Sequence, residues 1–411
     1  MLVGRRYRVE FTADQAAYAE RIAGVCRAVW NAALEQRRTA VQINRYRDSR
    51  SQHWPSLLTQ SRELTEAKSV FDWLGDVPRE CLQQTLRDLE RACRMHRGPW
   101  RVQFRSKRRP VSSFRFGSAS AFGAPRRLNR RDGVIRLSKF GPVRFRWTRS
   151  LPEAVRNATV LRDGEHWYIS FCVDDRKGEA APNGLPPVGV DRGVVLAFAT
   201  SEGQCVTFDG LRAGEKRRLK RLQQRLSHQQ PGSTRRNSTV SAIRRLFQRV
   251  RNRRSDFAHQ AAHQLTTGHG LIAIEELRVK AMTHSARGTL DEPGRNVRQK
   301  SGLNKAILDK AWGRLRLALE WHGRKNGCVI VAVPAAYTSQ TCSACRHIAA
   351  ESRERQADFR CVMCGHCENA DVNAAKNILA AGLAATGRRD LGVTRSAKRQ
   401  PPALEAARAV V

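Results

Sequence analysis

The sequence predicts an α/β protein preceded by a strand-rich region, and three patterns support this fold class. Short apolar runs beginning at residue 188 alternate with long helical stretches, which is typical of an α/β domain. Residues 99–175 alternate apolar and polar side chains between Gly and Pro, which predicts strands. Apolar side chains in residues 13–97 recur at helical spacing. We therefore expect a small β-barrel interrupted by a helical insert, followed by an α/β domain.

The composition indicates a globular protein with an anionic partner. The chain has 411 residues, of which 41% are apolar. It carries 75 Lys and Arg against 37 Asp and Glu, a formal charge of +38. A charge this large opposes compaction unless a polyanion neutralises it. Nucleic acid is therefore the expected partner, and an anionic membrane surface is the alternative.

Targeting signals are not evident in the sequence. The N-terminal residues contain no apolar stretch long enough for a signal peptide, and the longest apolar run, residues 328–336, is too short to span a bilayer. We therefore expect no membrane partner and a cytoplasmic location, where thiols stay reduced. The 11 cysteines are then free or metal-bound and not paired in disulfides.

The first half of the chain begins with a predicted strand at residues 1–10, in which Tyr7 and Val9 alternate with charged neighbours. Two helical segments follow, on either side of a polar, loop-like stretch at residues 46–57. Base stacking is one interpretation of four aromatic side chains here, but core packing is the simpler explanation for each. They are Trp30, Trp54, Phe114 and Phe116.

A stretch rich in Gly, Ala and Pro at residues 177–187 predicts a linker before the second half. Residues 188–191 predict a buried strand that ends in Asp191, and two short strands follow to about Phe208. Residues 212–267 predict a basic helical hairpin, whose outer surface is either simply solvated or follows phosphates. Its inner face is expected to contain Leu219, Leu222, Leu226, Val240, Ile243, Phe247 and Val250.

Further elements complete the α/β pattern. A buried strand at residues 271–274 ends in Glu275, and a helix is predicted around residues 306–327. A strand at residues 329–333 and a helix starting near Val372 follow. From Thr386 onward the chain is polar and basic, and we expect a disordered tail.

Two Cys-x-x-Cys pairs separated by fifteen residues match the spacing of a four-cysteine zinc ribbon: Cys342, Cys345, Cys361 and Cys364. Each pair would place two thiolates close together, and the metal would replace a core that so short a segment cannot build. His366 and Cys367 are alternative ligands, and we prefer the symmetric set of four. A closed four-cysteine shell predicts a structural zinc ion.

Three carboxylates occupy positions where strands and helices meet a cleft. Asp191 and Glu275 end apolar strands, and Asp371 lies at the start of a helix. Acids clustered in this way are costly unless a cation neutralises them, and hard oxygen ligands suit Mg²⁺ or Mn²⁺. Each also has a simpler interpretation, as a turn residue, an ion-pair partner or a helix cap. The adjacent Glu276 is an alternative to Glu275, which we prefer because it directly follows the strand.

These residues lie in segments that resemble the TnpB family. Residues 189–194 resemble its first RuvC motif, residues 274–282 its second, and residues 369–378 its third. Residues 337–345 resemble the start of its zinc ribbon. The resemblance covers roughly residues 5–382 and includes the N-terminal segments 12–15, 26–31 and 104–107.

TnpB proteins are transposon-encoded, RNA-guided DNA endonucleases related to compact type V CRISPR effectors. The resemblance implies a split RuvC (RNase H-like) nuclease domain with an inserted zinc ribbon, after an N-terminal wedge β-barrel with a helical recognition insert. It implies that Asp191, Glu275 and Asp371 bind Mg²⁺ or Mn²⁺ for two-metal hydrolysis of phosphodiester bonds. It implies that Cys342, Cys345, Cys361 and Cys364 bind Zn²⁺. The implied partners are a guide RNA with a structured scaffold and double-stranded DNA beside a short adjacent motif.

The domain boundaries expected from this resemblance are the wedge barrel at residues 1–12 and 98–176, the helical recognition domain at 13–97, the linker at 177–187, the RuvC-like domain at 188–337 and 368–385, the zinc ribbon at 338–367 and the tail at 386–411.

Two departures from the family pattern affect the ribbon. Arg346 stands where a Gly commonly follows the second cysteine, and Cys367 is an extra thiol. Neither removes a carboxylate, so the sequence argues against a guided repressor that binds DNA without cutting. A CRISPR effector of the same architecture and a strand-joining transposase are two further functions that this sequence pattern allows.

Overall fold

The computed structural model describes residues 2–107, 112–151, 155–174, 178–289, 292–355 and 357–390, the last three without their side chains. The chain divides into two compact units, Met1–Gly178 and Glu179–Val411. Across the described residues, no helix is both long and apolar enough to cross a membrane.

The described residues of the first unit form seven strands and four α-helices. In chain order these are β1 (Leu2–Glu10), α1 (Ala13–Asn44), α2 (Leu57–Val70), α3 (Asp72–Gly75), α4 (Arg79–Met95), β2 (Ser113–Phe116), β3 (Arg126–Arg127), β4 (Asp132–Leu137), β5 (Gly141–Arg146), β6 (Val155–Asp163) and β7 (His166–Asp174).

The strands of this unit form one antiparallel sheet in the order β2-β6-β7-β1-β5-β4-β3. Strand β1 is central because it pairs with β7 along its length and with β5 at its end. The ring of Tyr7 lies 5.4 Å from that of Phe145 and 5.7 Å from that of Phe171, which places an aromatic core on one face. Closure of this sheet into a barrel stays a prediction.

The predicted helices and the polar stretch between them are confirmed. Helix α1 begins with a capping box of Thr12 and Gln15 and ends at Asn44, before the loop that leads to α2. Three of the four aromatic side chains for which base stacking is an interpretation are buried in the core, namely Trp30, Phe114 and Phe116, whereas Trp54 is exposed. Core packing therefore explains those three.

In the part of the second unit that the structure describes there are seven strands and six α-helices. In chain order these are β8 (Pro187–Asp191), β9 (Phe198–Thr200), β10 (Cys205–Val206), α5 (Ala213–Ser227), α6 (Thr234–Gly268), β11 (Leu271–Glu275), α7 (Val279–Met282), α8 (Val297–Asp309), α9 (Trp312–Asn326), β12 (Val329–Val333), β13 (Asp358–Arg360), β14 (Cys367–Asn369) and α10 (Ala370–Asp390).

Five of these strands form a mixed sheet in the order β10-β9-β8-β11-β12. Strands β8, β11 and β12 are parallel, and β9 and β10 continue the sheet in antiparallel pairing. Because side chains alternate along a strand, the two faces carry different sets. Val190, Ile272 and Ile274 pack in one core with residues of α6 and α9. Ala273, Val331 and Val333 pack in another with Ile378 of α10.

The structure corrects three details of the predicted second half. The helix expected at residues 306–327 is two helices, α8 and α9, interrupted at Ala311, whose φ of +57° is left-handed. The hairpin core contains Leu246, and the expected Phe247 is exposed because it lies one position around the helix. Helix α10 continues past the expected start of the tail to Asp390, and residues 391–411 lie outside the described residues.

Candidate active site and four-cysteine cluster

The carboxyl ends of β8 and β11 bring two of the predicted acids to one edge of the sheet. The last registered pair of these parallel strands is Val190 with Ile274, so Asp191 and Glu275 are the next residues on each strand. Side chains two residues apart on a strand point to the same face of the sheet. Asp191 and Glu275 therefore lie on the same face as Gly189 and Ala273, which is the face that α10 covers. Glu275 is 8% exposed, whereas the adjacent Glu276 is exposed to solvent.

The third acid reaches the same edge through α10. Asp371 lies in the first turn of this helix, and its side chain is 19% exposed. The side-chain oxygen of Asn369 accepts hydrogen bonds from the backbone N–H groups of Asp371 and Val372, at 3.0 and 3.2 Å. Since Asn369 caps the helix, the carboxylate of Asp371 is not needed as a cap and can face the cleft.

Burial makes all three carboxyl groups harder to ionise, and Asp191 also feels the charges of the other two. Burial, together with the neighbouring charges of Glu275 and Asp371, raises the pKa of Asp191 to about 7. Burial also raises the pKa of Glu275 and that of Asp371. Such a group of partly desolvated acids is stabilised by a bound cation, so the residues fit a divalent metal.

Two arginines lie against these acids. Arg192 is 5% exposed, and its Nη2 donates to the carbonyl oxygen of Glu275 while Nη1 donates to that of Trp312 at 3.4 Å. Its charge lowers the pKa of Glu275 and thereby opposes the effect of burial. Arg353 lies 3.6 Å from Asp371 and likewise favours the ionised carboxylate. Both arginines oppose the effect of burial and favour charged carboxylates beside a potential cation site.

The loop that leads into the cysteine segment is attached to both the sheet and α10. The hydroxyl of Thr338 donates to Oε1 of Glu275 at 2.7 Å, and Thr338 is buried. Nδ2 of Asn377 donates to the carbonyl oxygen of Thr338 at 3.0 Å. Asn373, one turn earlier, donates to the carbonyl oxygen of Thr341 at 2.8 Å and accepts from the N–H of Ser343 at 2.8 Å. The cysteine segment, Glu275 and helix α10 are therefore held together by hydrogen bonds.

The four predicted cysteines converge. Their sulfur atoms all lie within 4.8 Å of one another. Among the described residues, these four cysteines form the one group of three or more His, Cys, Asp or Glu side chains whose potential ligand atoms lie this close together. The Cys342–Cys364 sulfur distance is 3.7 Å and the Cys345–Cys361 distance is 3.6 Å. Four Zn–S bonds of about 2.3 Å in a tetrahedron place sulfurs about 3.8 Å apart, so the cluster is compatible with zinc.

The two halves of the cluster are built alike. The backbone N–H of Cys342 donates to the carbonyl oxygen of His347 at 2.8 Å. In the same way, the backbone N–H of Cys361 donates to the carbonyl oxygen of His366 at 2.9 Å. Arg346 and Gly365 follow the second cysteine of each pair and have φ of +66° and +71°. The left-handed backbone explains why Gly is common there. The arginine compensates through a hydrogen bond from Nη1 to Oδ1 of Asn377 at 3.0 Å.

His366 and Cys367 lie beside this cluster and not within it. Nε2 of His366 lies 3.4 Å from the hydroxyl of Ser343, and the exposed Cys367 is 3.3 Å from the carbonyl oxygen of Gly365. The N–H groups of Cys364 and Met363 lower the pKa of the Cys361 thiol. At Cys364 the N–H of His366 acts in the same direction, but the neighbouring cysteine sulfurs outweigh it and raise the pKa of that thiol. A bound metal needs both sulfurs as thiolates.

Sequence reasoning did not single out Arg192, Thr338, Asn373 or Asn377 as functional residues. The spacing of Asn373 and Asn377 was a usable signal, because residues four apart lie on one face of a helix. No comparable signal exists for Thr338, whose contact with Glu275 joins residues 63 positions apart.

Comparison with known proteins shows which class of fold this chain has. A family model described as "Cas12f1-like, TNB domain" matches residues 312–378. A solved structure described as "Cryo-EM structure of the Cas12f1-sgRNA-target DNA complex" aligns with a TM-score of 0.58 and 14% identity, covering 90% of this chain and 83% of that one. The fold is therefore that of a compact type V effector.

Closer relatives identify the family. The protein named "Putative RNA-guided DNA endonuclease InsQ" of Escherichia coli strain K12 is 36% identical, covering 89% of this chain and 88% of its own. A Streptomyces pristinaespiralis protein named "Putative RNA-guided DNA endonuclease" is 31% identical over 93% of this chain and 89% of its own. A family model described as "Probable transposase" matches residues 170–286. The chain belongs to the TnpB family.

A third family model, described as "Helix-turn-helix domain", matches residues 1–45. The described residues of this range, 2–45, form strand β1 and one helix, α1, so the description does not correspond to two helices here.

Proposed function

We propose that this protein is an RNA-guided DNA endonuclease associated with a transposon, which hydrolyses phosphodiester bonds at the edge of the second sheet. The observation that supports this most directly is the meeting of Asp191, Glu275 and Asp371, from two parallel strands and one helix, in a chain of this family. Relatives that share most of its length carry the name of an RNA-guided DNA endonuclease.

We propose Asp191, Glu275 and Asp371 as ligands of Mg²⁺ or Mn²⁺ in a two-metal site of the RuvC (RNase H-like) type. When bound, these ions would stabilise the attacking and leaving oxygens of the phosphodiester. The chain's own residues prepare the ligands. Thr338 and Arg192 favour the ionised form of Glu275, and Asp191 gives up its proton near neutral pH. The four cysteines are proposed as the zinc ligands that hold the loop carrying Thr338.

We also propose the domain assignment that the family suggests. The first unit would supply the wedge and the helical recognition insert, and the second would supply the RuvC-like domain with its ribbon. A guide RNA with a structured scaffold and double-stranded DNA are the proposed partners. The formal charge of +38 supports polyanionic partners of this kind.

Plasmid cleavage by protein co-expressed with the RNA from its native flanking sequence tests this proposal. The guide would be reprogrammed, a library of adjacent motifs supplied, and Asp191→Ala used as the matched control. We expect linearised plasmid that depends on the guide and on Mg²⁺ and disappears in the variant.

Two results would contradict the proposal. Binding to the guided target without cutting, by a protein that retains its zinc, would favour a guided repressor. Cutting that is unchanged in Asp191→Ala would place the chemistry elsewhere in the molecule.

A further inference from the structure

Three histidines that take no part in the site described above lie together on two neighbouring helices. His259 and His263 are on α6, four residues apart, and His322 is on α9. Side chains at i and i+4 project from the same side of a helix, so the two α6 imidazoles face α9 together. Nδ1 of His259 lies 3.4 Å from Nε2 of His322.

The ring spacing about His322 is close to that of imidazoles sharing one metal ion, and bringing the nitrogen atoms of all three histidines within 4.8 Å of one another requires one ring to rotate. The ring centroid of His322 is 5.5 Å from that of His259 and 5.5 Å from that of His263. Two imidazoles with metal–nitrogen bonds of about 2.0–2.1 Å in tetrahedral geometry have centroids about 5 Å apart. His263 is exposed, so its ring can rotate towards the shared point without displacing a packed neighbour.

Helices α6 and α9 pack against each other beneath the three histidines. Ala258, Ala261 and Ala262 of α6 share a buried core with Leu315 and Leu319 of α9, so the histidines extend an existing packed interface. Nδ2 of Asn326 also donates to the hydroxyl of Thr266 at 2.8 Å, near the end of the same pair of helices.

The surroundings favour a metal over an anion. A phosphate group would need positively charged imidazoles, but burial and the neighbouring His259, His263 and Lys325 lower the pKa of His322 to about 4. The neutral imidazole is the form that binds metal. Trp321 stacks edge-on against His322, with centroids 4.5 Å apart, and restrains its ring.

We propose that His259, His263 and His322 form a second transition-metal site, separate from the cysteine cluster and the acids, that links α6 to α9. Imidazole ligands select ions such as Zn²⁺, Ni²⁺ and Cu²⁺ over Mg²⁺. Three protein ligands leave one coordination position for water.

Nickel binding to the full-length, untagged chain tests this site. The protein is purified with zinc in its cysteine cluster, kept in Mg²⁺ to occupy the acids, and titrated with Ni²⁺ by equilibrium dialysis while its zinc content is measured. We expect about one Ni²⁺ per chain without loss of zinc. His263→Gln or His322→Gln should weaken binding at least tenfold, whereas His228→Gln, an exposed histidine outside the trio, should leave it unchanged.

The proposal is overturned if no Ni²⁺ is retained, or if the triple variant of His259, His263 and His322 to Gln binds as well as the unchanged chain. Nickel uptake that displaces zinc would assign the binding to the cysteines and also overturn it. Circular dichroism of each variant establishes that a loss of binding is not a loss of folding. These results do not depend on nuclease activity.

Discussion

Asp191 combines burial with two like charges, and this makes protein stability depend on pH. A carboxyl whose pKa rises from 3.8 in the unfolded chain to about 7 in the folded one binds more protons in the native state between those values. The free energy of unfolding therefore falls as the pH rises through this window. It stays reduced above the folded pKa, because the ionised carboxylate is then present in both states.

Asp191→Asn removes this ionisation while keeping the shape of the side chain. Without added Mg²⁺, we expect the variant to be more stable than the unchanged protein at pH 8, and the difference to shrink towards pH 4. Each pKa unit corresponds to about 1.4 kcal/mol, so the effect is a few kcal/mol at most. Urea denaturation of the zinc-loaded protein across this range measures it, and parallel pH dependences would contradict the expectation.

Thr338 is the next residue to test, because its hydroxyl donates a hydrogen bond to Glu275 and lowers the pKa of that carboxyl group. Thr338→Val keeps the volume and removes the donor, so the pKa of Glu275 should rise further. A hydrogen bond to a charged group contributes about 1.5–3 kcal/mol, so we expect roughly tenfold or greater loss of cleavage near neutral pH. The acid limb of the pH–rate profile should move to higher pH.

Thr338→Ser is the matched control, since it retains the hydroxyl. Equal profiles for the Val and Ser variants would show that the hydrogen bond does not influence Glu275.

Among the elements, α10 is the first to test because it connects the sheet, the third acid and the cysteine segment. A Cβ at Gly189 would overlap the carbonyl oxygen of Ala375, so α10 lies directly on β8 at this point. Gly189→Ala should push the helix away and carry Asp371 with it. A displacement of about 1 Å can cost 10²-fold in rate, and we expect a loss of that size in plasmid cleavage.

Gly302→Ala in α8 is the control for this substitution, because nothing lies within 4 Å of a Cβ at that position. It should stabilise the protein by about 0.4–1 kcal/mol, since alanine lowers the entropy of the unfolded chain. If Gly189→Ala cleaves as well as Gly302→Ala, then the close approach of α10 is not required for the site.

The cysteine segment contains its own matched pair of substitutions. Cys364→Ser removes a member of the converging cluster, whereas Cys367→Ser changes an exposed thiol outside it. We expect zinc content to fall from about one ion per chain to near zero in the first variant and to stay constant in the second. Cleavage should fall with the zinc, because the loop carrying Thr338 loses its support. Zinc loss in Cys367→Ser would contradict the assignment.

At the scale of the whole molecule, the charge of +38 determines how the protein responds to salt. Neutralising six or more phosphates implies a loss of about 10³-fold or more in affinity between 50 and 200 mM salt. We expect this for binding of the flanking RNA in filter-binding titrations. A change below tenfold over that interval would mean that the positive charge does not mainly contact phosphate.

The sequence determined most of the secondary structure and located the cysteine cluster. Strand alternation located β8 and β11, and the spacing of the two Cys-x-x-Cys pairs identified the converging cluster. Both signals are local, because side-chain period and knuckle geometry depend on residues a few positions apart. The same patterns missed the break at Ala311, where a left-handed residue inside an apolar helical pattern separates α8 from α9.

Only the tertiary structure decided how the distant parts meet. The parallel register of β8 and β11 and the close approach of α10 at Gly189 bring Asp191, Glu275 and Asp371 to one edge. Likewise, Thr338 and Arg192 are far from Glu275 in the sequence. In the folded chain Thr338 donates a hydrogen bond to the carboxylate of Glu275, and Arg192 donates one to the backbone carbonyl oxygen of Glu275. Sequence alone predicted which residue types a metal needs. Their ionisation depends on burial and on neighbouring charges, and those exist only once the chain has folded.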